Sequence, residues 1–79
     1  MQILYLYDIK AKNKLEFNRV KRLFYYHLNK LDLLKIHFVT KSVLLAPSEL
    51  ERLVDSFFKQ FKNKVEVYKV RCEKIEELS

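Results

Sequence analysis

The carboxylate of Asp8 has an unusual place in this sequence. Residues 2–9 form an apolar run rich in β-forming residue types, so they predict a central strand that is covered on both faces. Alternation along a strand puts Leu4, Leu6 and Asp8 on one face, with Asp8 near the C-terminal end. A strand-end aspartate often makes local turn hydrogen bonds. It can also bind Mg²⁺, which proteins hold with one or two carboxylates, waters and substrate phosphate oxygens. A two-fold axis that pairs two copies of Asp8 would strengthen such a site.

A second group of residues has the chemistry for binding a polyanion. The net charge is +6, and residues 1–46 carry nine Lys and Arg against three acidic residues, whereas residues 47–79 carry seven of each. This one-sided excess favours nucleic acid as a partner, although lysine-rich surfaces also serve solubility or heat tolerance. The candidate residues lie in a predicted loop over 10–14 and on the exposed face of the helix that follows. They are Lys10, Lys12, Lys14, Arg19, Arg22 and Tyr26.

The exposed face of that helix also carries Asn18, Tyr25 and Asn29. Guanidinium groups fork to phosphate oxygens and tyrosine hydroxyls donate to them, which positions a duplex without identifying its sequence. Two exposed tyrosines, Tyr25 and Tyr26, favour a contact surface, and an ordinary solvated helix face is the alternative. In a dimer we expect the acidic strand ends to face each other beneath this cationic surface.

Several kinds of site are excluded by composition. The chain has no glycine, which excludes Gly-rich phosphate loops, the dinucleotide fingerprint and a nucleophile elbow. His27 and His37 cannot complete a tetrahedral zinc site within one chain. The single cysteine, Cys72, cannot form an intrachain disulfide, and no apolar run approaches the roughly 18 residues of a membrane span. We therefore expect a cytoplasmic protein with no membrane association.

The remaining patterns predict two helices and three further β segments. An apolar stripe after residue 14 predicts the first helix, and runs at 36–39 and 43–45 predict two strands or one bent strand. Pro47 begins a second helix in which Ser48 and Glu51 have the spacing of a capping box. A final strand lies over 65–70. The expected core residues of the two helices are Phe17, Val20, Phe24, Leu28, Leu31, Leu50, Leu53, Val54, Phe57 and Phe61, with Phe58 in the core or at an interface.

This order predicts an α+β protein with a ferredoxin-like βαββαβ sandwich, in which a four-stranded sheet carries both helices on one face. We expect residues 1–79 to form one domain, with a C-terminal tail over about 71–79. A domain this small buries only about 60 to 65% of its unfolded surface, so dimerisation would relieve its marginal stability.

Four segments, in this order and spacing, resemble the CRISPR-associated protein 2 family, the small dimeric partner of the spacer-acquisition integrase. They are the strand end Tyr7-Asp8-Ile9, the basic helix segment Arg19-Val20-Lys21-Arg22-Leu23, the helix start Ala46-Pro47-Ser48-Glu49-Leu50 and the closing strand Val65-Glu66-Val67-Tyr68-Lys69-Val70. The resemblance covers almost the whole chain.

The resemblance implies a function in CRISPR adaptation. Asp8 would match the family's metal-binding aspartate, so that a homodimer holds Mg²⁺ or Mn²⁺ between two Asp8 residues. Family members are described as metal-dependent nucleases on RNA or double-stranded DNA and also as non-catalytic scaffolds. The tail over 71–78 would pack against the integrase or against a neighbouring subunit, to which it would add a strand. Whether this chain is an endonuclease with Asp8 as a catalytic residue stays open.

The sequence departs from the family pattern in its second strand. The family has a Gln-x-Ser-Val-Phe run there. An ungapped alignment from Pro47 puts Val39-Thr40-Lys41 where Ser-Val-Phe is expected, and aligning Ser42-Val43 with Ser-Val instead shortens the following hairpin by three residues. A catalytic role for a serine in this strand therefore stays open. Two alternatives remain: a toxin-type ribonuclease resembling the virulence-associated D family, and a small interaction module that binds no nucleic acid.

Overall fold

The computed structural model describes residues 1–31 and 34–78, so Ser79 of the predicted tail lies outside the described residues. It is an α+β structure with a four-stranded antiparallel sheet and two α-helices. In chain order the elements are β1 (Gln2–Ile9), α1 (Lys14–Leu28), β2 (His37–Thr40), β3 (Val43–Pro47), a 3₁₀ turn (Ser48–Leu50), α2 (Glu51–Lys59) and β4 (Val65–Cys72).

The strands lie in the order β2-β3-β1-β4, and every neighbouring pair is antiparallel. β1 is therefore an inner strand, whereas β2 and β4 form the two edges. The sequence was compatible with either two strands or one bent strand in the segment between the two helices, and the structure has two strands, β2 and β3. They are joined at Lys41 and Ser42, with an irregularity in their register between Phe38 and Thr40. Each helix connects two strands that run in the same direction and are separated by one antiparallel strand.

The start of α1 is fixed by a capping arrangement that the sequence analysis missed. The Asn13 side chain accepts a hydrogen bond from the backbone N–H of Glu16 at 2.9 Å. The Glu16 carboxylate in turn accepts one from the backbone N–H of Lys12 at 3.0 Å. A polar cap followed three residues later by glutamate is a recognisable start signal, and here it satisfies two backbone donors. Lys14 is therefore the first residue of the helix rather than the last residue of a loop.

The capping box predicted at Ser48 and Glu51 is wrong. Residues 48–50 form a 3₁₀ turn and α2 begins at Glu51, and among the described residues no side chain caps either start with a hydrogen bond. The Glu51 carboxylate instead lies 2.6 Å from the Lys69 ammonium and 2.7 Å from the Arg71 guanidinium. Two cations on β4 thus hold the carboxylate that a capping box would require at the backbone of Ser48.

The core lies between the helices and one face of the sheet. Ile3, Tyr5 and Tyr7 of β1 are buried there against residues of both helices. Phe58 belongs to this core and not to an interface, because its ring lies 5.3 Å from the Tyr5 ring and 5.5 Å from the Tyr7 ring. The predicted core residues Phe17 and Leu53 instead lie at the margins, with exposed fractions of 37% and 44%.

Neither helix in the described part of the chain lies on the other face of the sheet. β1 was expected to be covered on both faces, but Leu6 is 38% exposed and Asp8 is exposed, because α1 and α2 pack on the same side. Tyr68 and Val70 of β4 pair with Leu6 and Leu4 on this face and are 64% and 49% exposed. We call it the open sheet face; its apolar residues are Leu4, Leu6, Val43, Leu45, Tyr68 and Val70.

Candidate functional site

Asp8 lies on the open sheet face near the end of β1. Its carboxylate is exposed and forms an ion pair with the Lys10 ammonium at 3.0 Å. The hydrogen bond to Asp8 and the charges of Asp8 and Glu66 raise the pKa of Lys10. The backbone of Lys10 is fixed by a 2.7 Å hydrogen bond from its N–H to the carbonyl of Lys64. Lys10 and Asp8, which the sequence assigned to different sites, therefore form one local pair.

Glu66 is a second carboxylate beside Asp8, and sequence reasoning missed it. The two residues are paired across β1 and β4, so both side chains lie on the open sheet face. No sequence signal could have found this pair, because it depends on the register between strands that are far apart in the chain. Two exposed carboxylates match the small donor set that Mg²⁺ takes from a protein. Within the described residues, no three His, Cys, Asp or Glu side chains are grouped as a metal site.

The predicted basic helix surface is present on α1. Arg19, Arg22 and Tyr26 are exposed and follow one another at intervals of three and four residues, so they share one side of the helix. Tyr26 is 56% exposed, and the ammonium group of Lys30 lies 4.4 Å from the centre of its ring. Lys30 thus extends the cationic surface by one more turn, which the sequence analysis did not include. Lys12 and Lys14 lie at the exposed start of the same helix.

Tyr25 does not belong to this surface, contrary to expectation. It is half-buried, its ring meets the Phe24 ring edge-on at 5.2 Å, and its hydroxyl donates to the carbonyl oxygen of Lys41 at 3.3 Å. The Tyr7 hydroxyl donates to the same oxygen at 3.0 Å. Burial and the neighbouring Tyr25 hydroxyl raise the pKa of Tyr7, so its hydroxyl stays protonated and remains a donor. The two tyrosines therefore anchor the β2–β3 turn.

The structure does not bring Asp8 together with the arginines of α1. Ile3, Tyr5 and Tyr7 point toward the helices, so Asp8 points to the opposite side of the sheet by alternation. Arg19 and Arg22 lie on the outer surface of α1, and α1 packs on the face of the sheet opposite to Asp8. The expected single surface, with acidic strand ends beneath these cations, is therefore divided between two sides of one chain.

A cavity of about 400 Å³ lies at the end of the sheet where these two sides meet. It is formed by the end of β1, one side of α1 and the β2–β3 turn. We call it the turn cavity; the residues that line it include Asp8, Phe17, Lys21, Tyr25, Lys41 and Ser42. Lys21 and Lys41 were not among the residues predicted to bind nucleic acid.

The remaining candidate residues lie apart from one another. His27 is half-buried on α1 with its ring 6.2 Å from the Phe61 ring, whereas His37 is exposed on the edge strand β2. Cys72 is half-buried at the end of β4, where its thiol lies 3.5 Å from the carbonyl oxygen of Gln2. Residues 73–78 follow β4 outside the sheet, and Leu78 is exposed there.

Across residues 1–31 and 34–78, no helix has the length and apolarity needed to cross a bilayer.

The comparisons with known proteins do not identify a family. No family model, curated protein or solved structure matches this chain.

Proposed function

We propose that this chain forms a homodimer that binds duplex nucleic acid and acts in CRISPR adaptation beside an integrase, as in the CRISPR-associated protein 2 family that its sequence resembles. The strand order β2-β3-β1-β4 with two helices on one face supports a ferredoxin-like βαββαβ arrangement. In this proposal the protein is cytoplasmic.

The exposed cationic stripe on α1 is the observation that carries the nucleic-acid proposal. Arg19 and Arg22 are one turn apart, and Tyr26 follows Arg22 by four residues, so two guanidinium groups and a hydroxyl can contact successive phosphates. Lys12 and Lys14 extend the positive charge toward the start of the helix, whereas Lys10, also predicted to bind nucleic acid, is paired with Asp8. Such contacts fix a duplex by its backbone, which suits a protein that holds DNA of any sequence.

The open sheet face supports the homodimer. It exposes a continuous set of apolar side chains on three neighbouring strands, and two copies packed face to face would shield them from water. That arrangement would also bring two Asp8–Glu66 pairs toward a common axis. Arg71 and Cys72 of the predicted tail already belong to β4, and the edge of this strand offers backbone groups to which residues 73–78 of a partner copy could add a strand.

The salt dependence of duplex binding tests this proposal. The log of the association constant should fall linearly with the log of salt concentration, with a slope of about −0.9 per phosphate contacted. A double variant, Arg19→Gln with Arg22→Gln, should weaken binding at least about tenfold and make the slope less negative by about 1.8. The matched control is Arg52→Gln with Lys62→Gln, which removes two exposed charges outside the stripe and should leave binding nearly unchanged. A flat salt response would favour the protein-only interaction module.

A second candidate function, phosphodiester cleavage, is favoured by the Asp8–Glu66 pair. Mg²⁺ or Mn²⁺ held between two Asp8 residues would lower the pKa of a bound water and offset charge on the leaving oxygen. Asp8 would hold the ion, Glu66 would add a carboxylate, and Lys10 keeps the site partly neutral in the ion's absence. Asp8→Ala should abolish cleavage in clean protein and leave duplex affinity unchanged. Cleavage that survives Asp8→Ala would make Asp8 a structural residue and leave a toxin-type ribonuclease as the nuclease alternative.

A further inference from the structure

We propose that the turn cavity binds one unpaired nucleotide of a nucleic acid strand, with the phosphate held by Lys21 and Lys41; this inference rests on the proposed function. It arises because Asp8 does not share a surface with Arg19 and Arg22. Any phosphate that reaches Asp8 must be held by other cations, and the turn cavity contains Asp8 together with Lys21 and Lys41.

The charges in the turn cavity favour an anionic ligand. Lys10 pairs with Asp8 at 3.0 Å and so offsets the Asp8 carboxylate, the one carboxylate among the described residues that line the cavity. Within residues 1–31 and 34–78, neither Lys21 nor Lys41 forms an ion pair with a carboxylate. Two cations from different elements therefore face the same space, and a phosphate group can accept hydrogen bonds from both.

The β2–β3 turn, which carries Lys41 and forms one wall of the turn cavity, is held in place before any ligand binds. The Lys41 carbonyl oxygen accepts hydrogen bonds from the Tyr7 hydroxyl at 3.0 Å and from the Tyr25 hydroxyl at 3.3 Å. Both backbone polar groups of the next residue, Ser42, are also hydrogen-bonded. Its N–H donates to the Thr40 hydroxyl at 3.2 Å, and its carbonyl oxygen accepts from the Tyr7 N–H at 2.9 Å. A preformed wall lowers the ordering cost of binding, which is why small-molecule sites are usually preformed.

The size and lining of the turn cavity fit a nucleotide better than a bare phosphate. Its volume of about 400 Å³ lies within the range of about 300 to 1,000 Å³ that is usual for small-molecule sites. Phe17 lines the cavity and is 37% exposed, so an aromatic surface is available beside Lys21, which lies four residues later on α1. Bases stack on such surfaces regardless of identity. A base inside a duplex is already stacked, so the cavity selects an unpaired nucleotide.

Two fluorescent probes test this inference on the full chain: a 5′-phosphorylated single-stranded trinucleotide and a blunt duplex. The double variant Lys21→Gln with Lys41→Gln should weaken trinucleotide binding at least about tenfold and duplex binding less than about threefold. The control Lys59→Gln with Lys62→Gln removes two exposed charges elsewhere and should change neither. Unchanged trinucleotide affinity in the Lys21 and Lys41 variant, or an equal loss for both probes, would overturn the inference.

A second variant separates the base from the phosphate. Phe17→Leu keeps the side chain apolar and removes the ring. It should therefore weaken binding of the trinucleotide about fivefold or more and leave unchanged the binding of a 5′-phosphorylated trinucleotide that lacks its bases. If the unaltered protein bound normal and abasic probes with equal affinity, the base would not be bound in the turn cavity. Duplex binding without trinucleotide binding would overturn this inference alone. Failure to bind either probe would instead overturn the proposed function.

Discussion

The Tyr5 hydroxyl connects the hydrophobic core to a cluster of charged groups between α2 and β4. It donates to the Asp55 carboxylate at 2.7 Å, and the Lys69 ammonium lies 2.7 Å from Asp55 and 2.6 Å from Glu51. Burial and the nearby Asp55 carboxylate raise the pKa of Tyr5, so its hydroxyl stays protonated and remains a donor. Burial opposes the ionisation of Asp55, but the hydrogen bonds from Lys69 and Tyr5 outweigh it and hold the pKa of Asp55 below its usual value.

This cluster predicts a loss of stability in acid. Because the pKa of Asp55 is lower in the folded than in the unfolded protein, its contribution is present above pH 3.8 and is lost as the pH falls through the lower folded value. Urea unfolding at about pH 5 and about pH 3 should show a decrease in the free energy of unfolding that is smaller in Asp55→Asn. The same decrease in the variant and in the original protein would exclude Asp55 as its source.

The hydrogen bond from the Tyr5 hydroxyl to Asp55 can be removed without changing the charge of the protein. Tyr5→Phe keeps the buried ring and deletes the donor to an ionised acceptor, so it should cost about 1.5 to 3 kcal/mol of unfolding free energy at neutral pH. Tyr26→Phe, a change at an exposed tyrosine, is the matched control and should leave the unfolding free energy nearly unchanged. Equal effects of both changes would show that the Tyr5–Asp55 hydrogen bond contributes little.

At the scale of elements, α1 has two separate tasks. One side of the helix contributes Val20, Phe24 and Leu28 to the core, and its outer side carries the cationic stripe. The angular position of the stripe is therefore set by core packing. Its start is set by Asn13, which caps the helix next to the lysines of the preceding loop.

Asn13→Ala should destabilise the protein by about 1 kcal/mol, because the Glu16 N–H loses its acceptor. For a domain of this length that corresponds to a decrease in Tm of roughly 4 to 8 °C in a thermal scan. The control is Asn18→Ala, on the exposed middle of the same helix, where alanine has the higher helix propensity and no decrease is expected. A decrease of similar size in both variants would mean that the cap is not the cause.

At the scale of the whole molecule, one side of the sheet is covered by both helices and the other side is apolar and exposed. The exposed fractions of Leu6, Tyr68 and Val70 show that a single chain leaves this face in contact with water. A small domain gains most from covering such a face, because its own core is limited. The proposed dimer and the proposed metal site therefore depend on the same surface.

Leu6→Lys should dissociate the proposed dimer, because two added ammonium groups would meet near the axis without partners. The mass measured by sedimentation equilibrium should change from that of two chains to that of one. Leu53→Lys introduces the same charge at a leucine of similar exposure on the helix side and should leave the mass unchanged. A monomer before substitution would exclude the dimer, and dissociation by Leu53→Lys instead would place the interface on the helices.

Much of the fold could be predicted from the sequence, because the spacing of apolar residues within one segment sets its type. The stripe of Val20, Phe24 and Leu28 predicted α1, and the apolar run over 2–9 predicted β1. The excess of cations in residues 1–46 and their presence on the surface of α1 also follow from sequence, because charged side chains that have no partner stay in water.

Other features were decided only by how distant segments meet. The pairing of Asp8 with Glu66, the burial of Phe58 and the anchoring of the β2–β3 turn by Tyr25 each depend on a residue from another element. Periodicity places a residue on a face of its own helix or strand, but it does not say which neighbour covers that face. That choice depends on strand register and on which side of the sheet the helices pack, and it put Asp8 and the arginines of α1 on opposite sides.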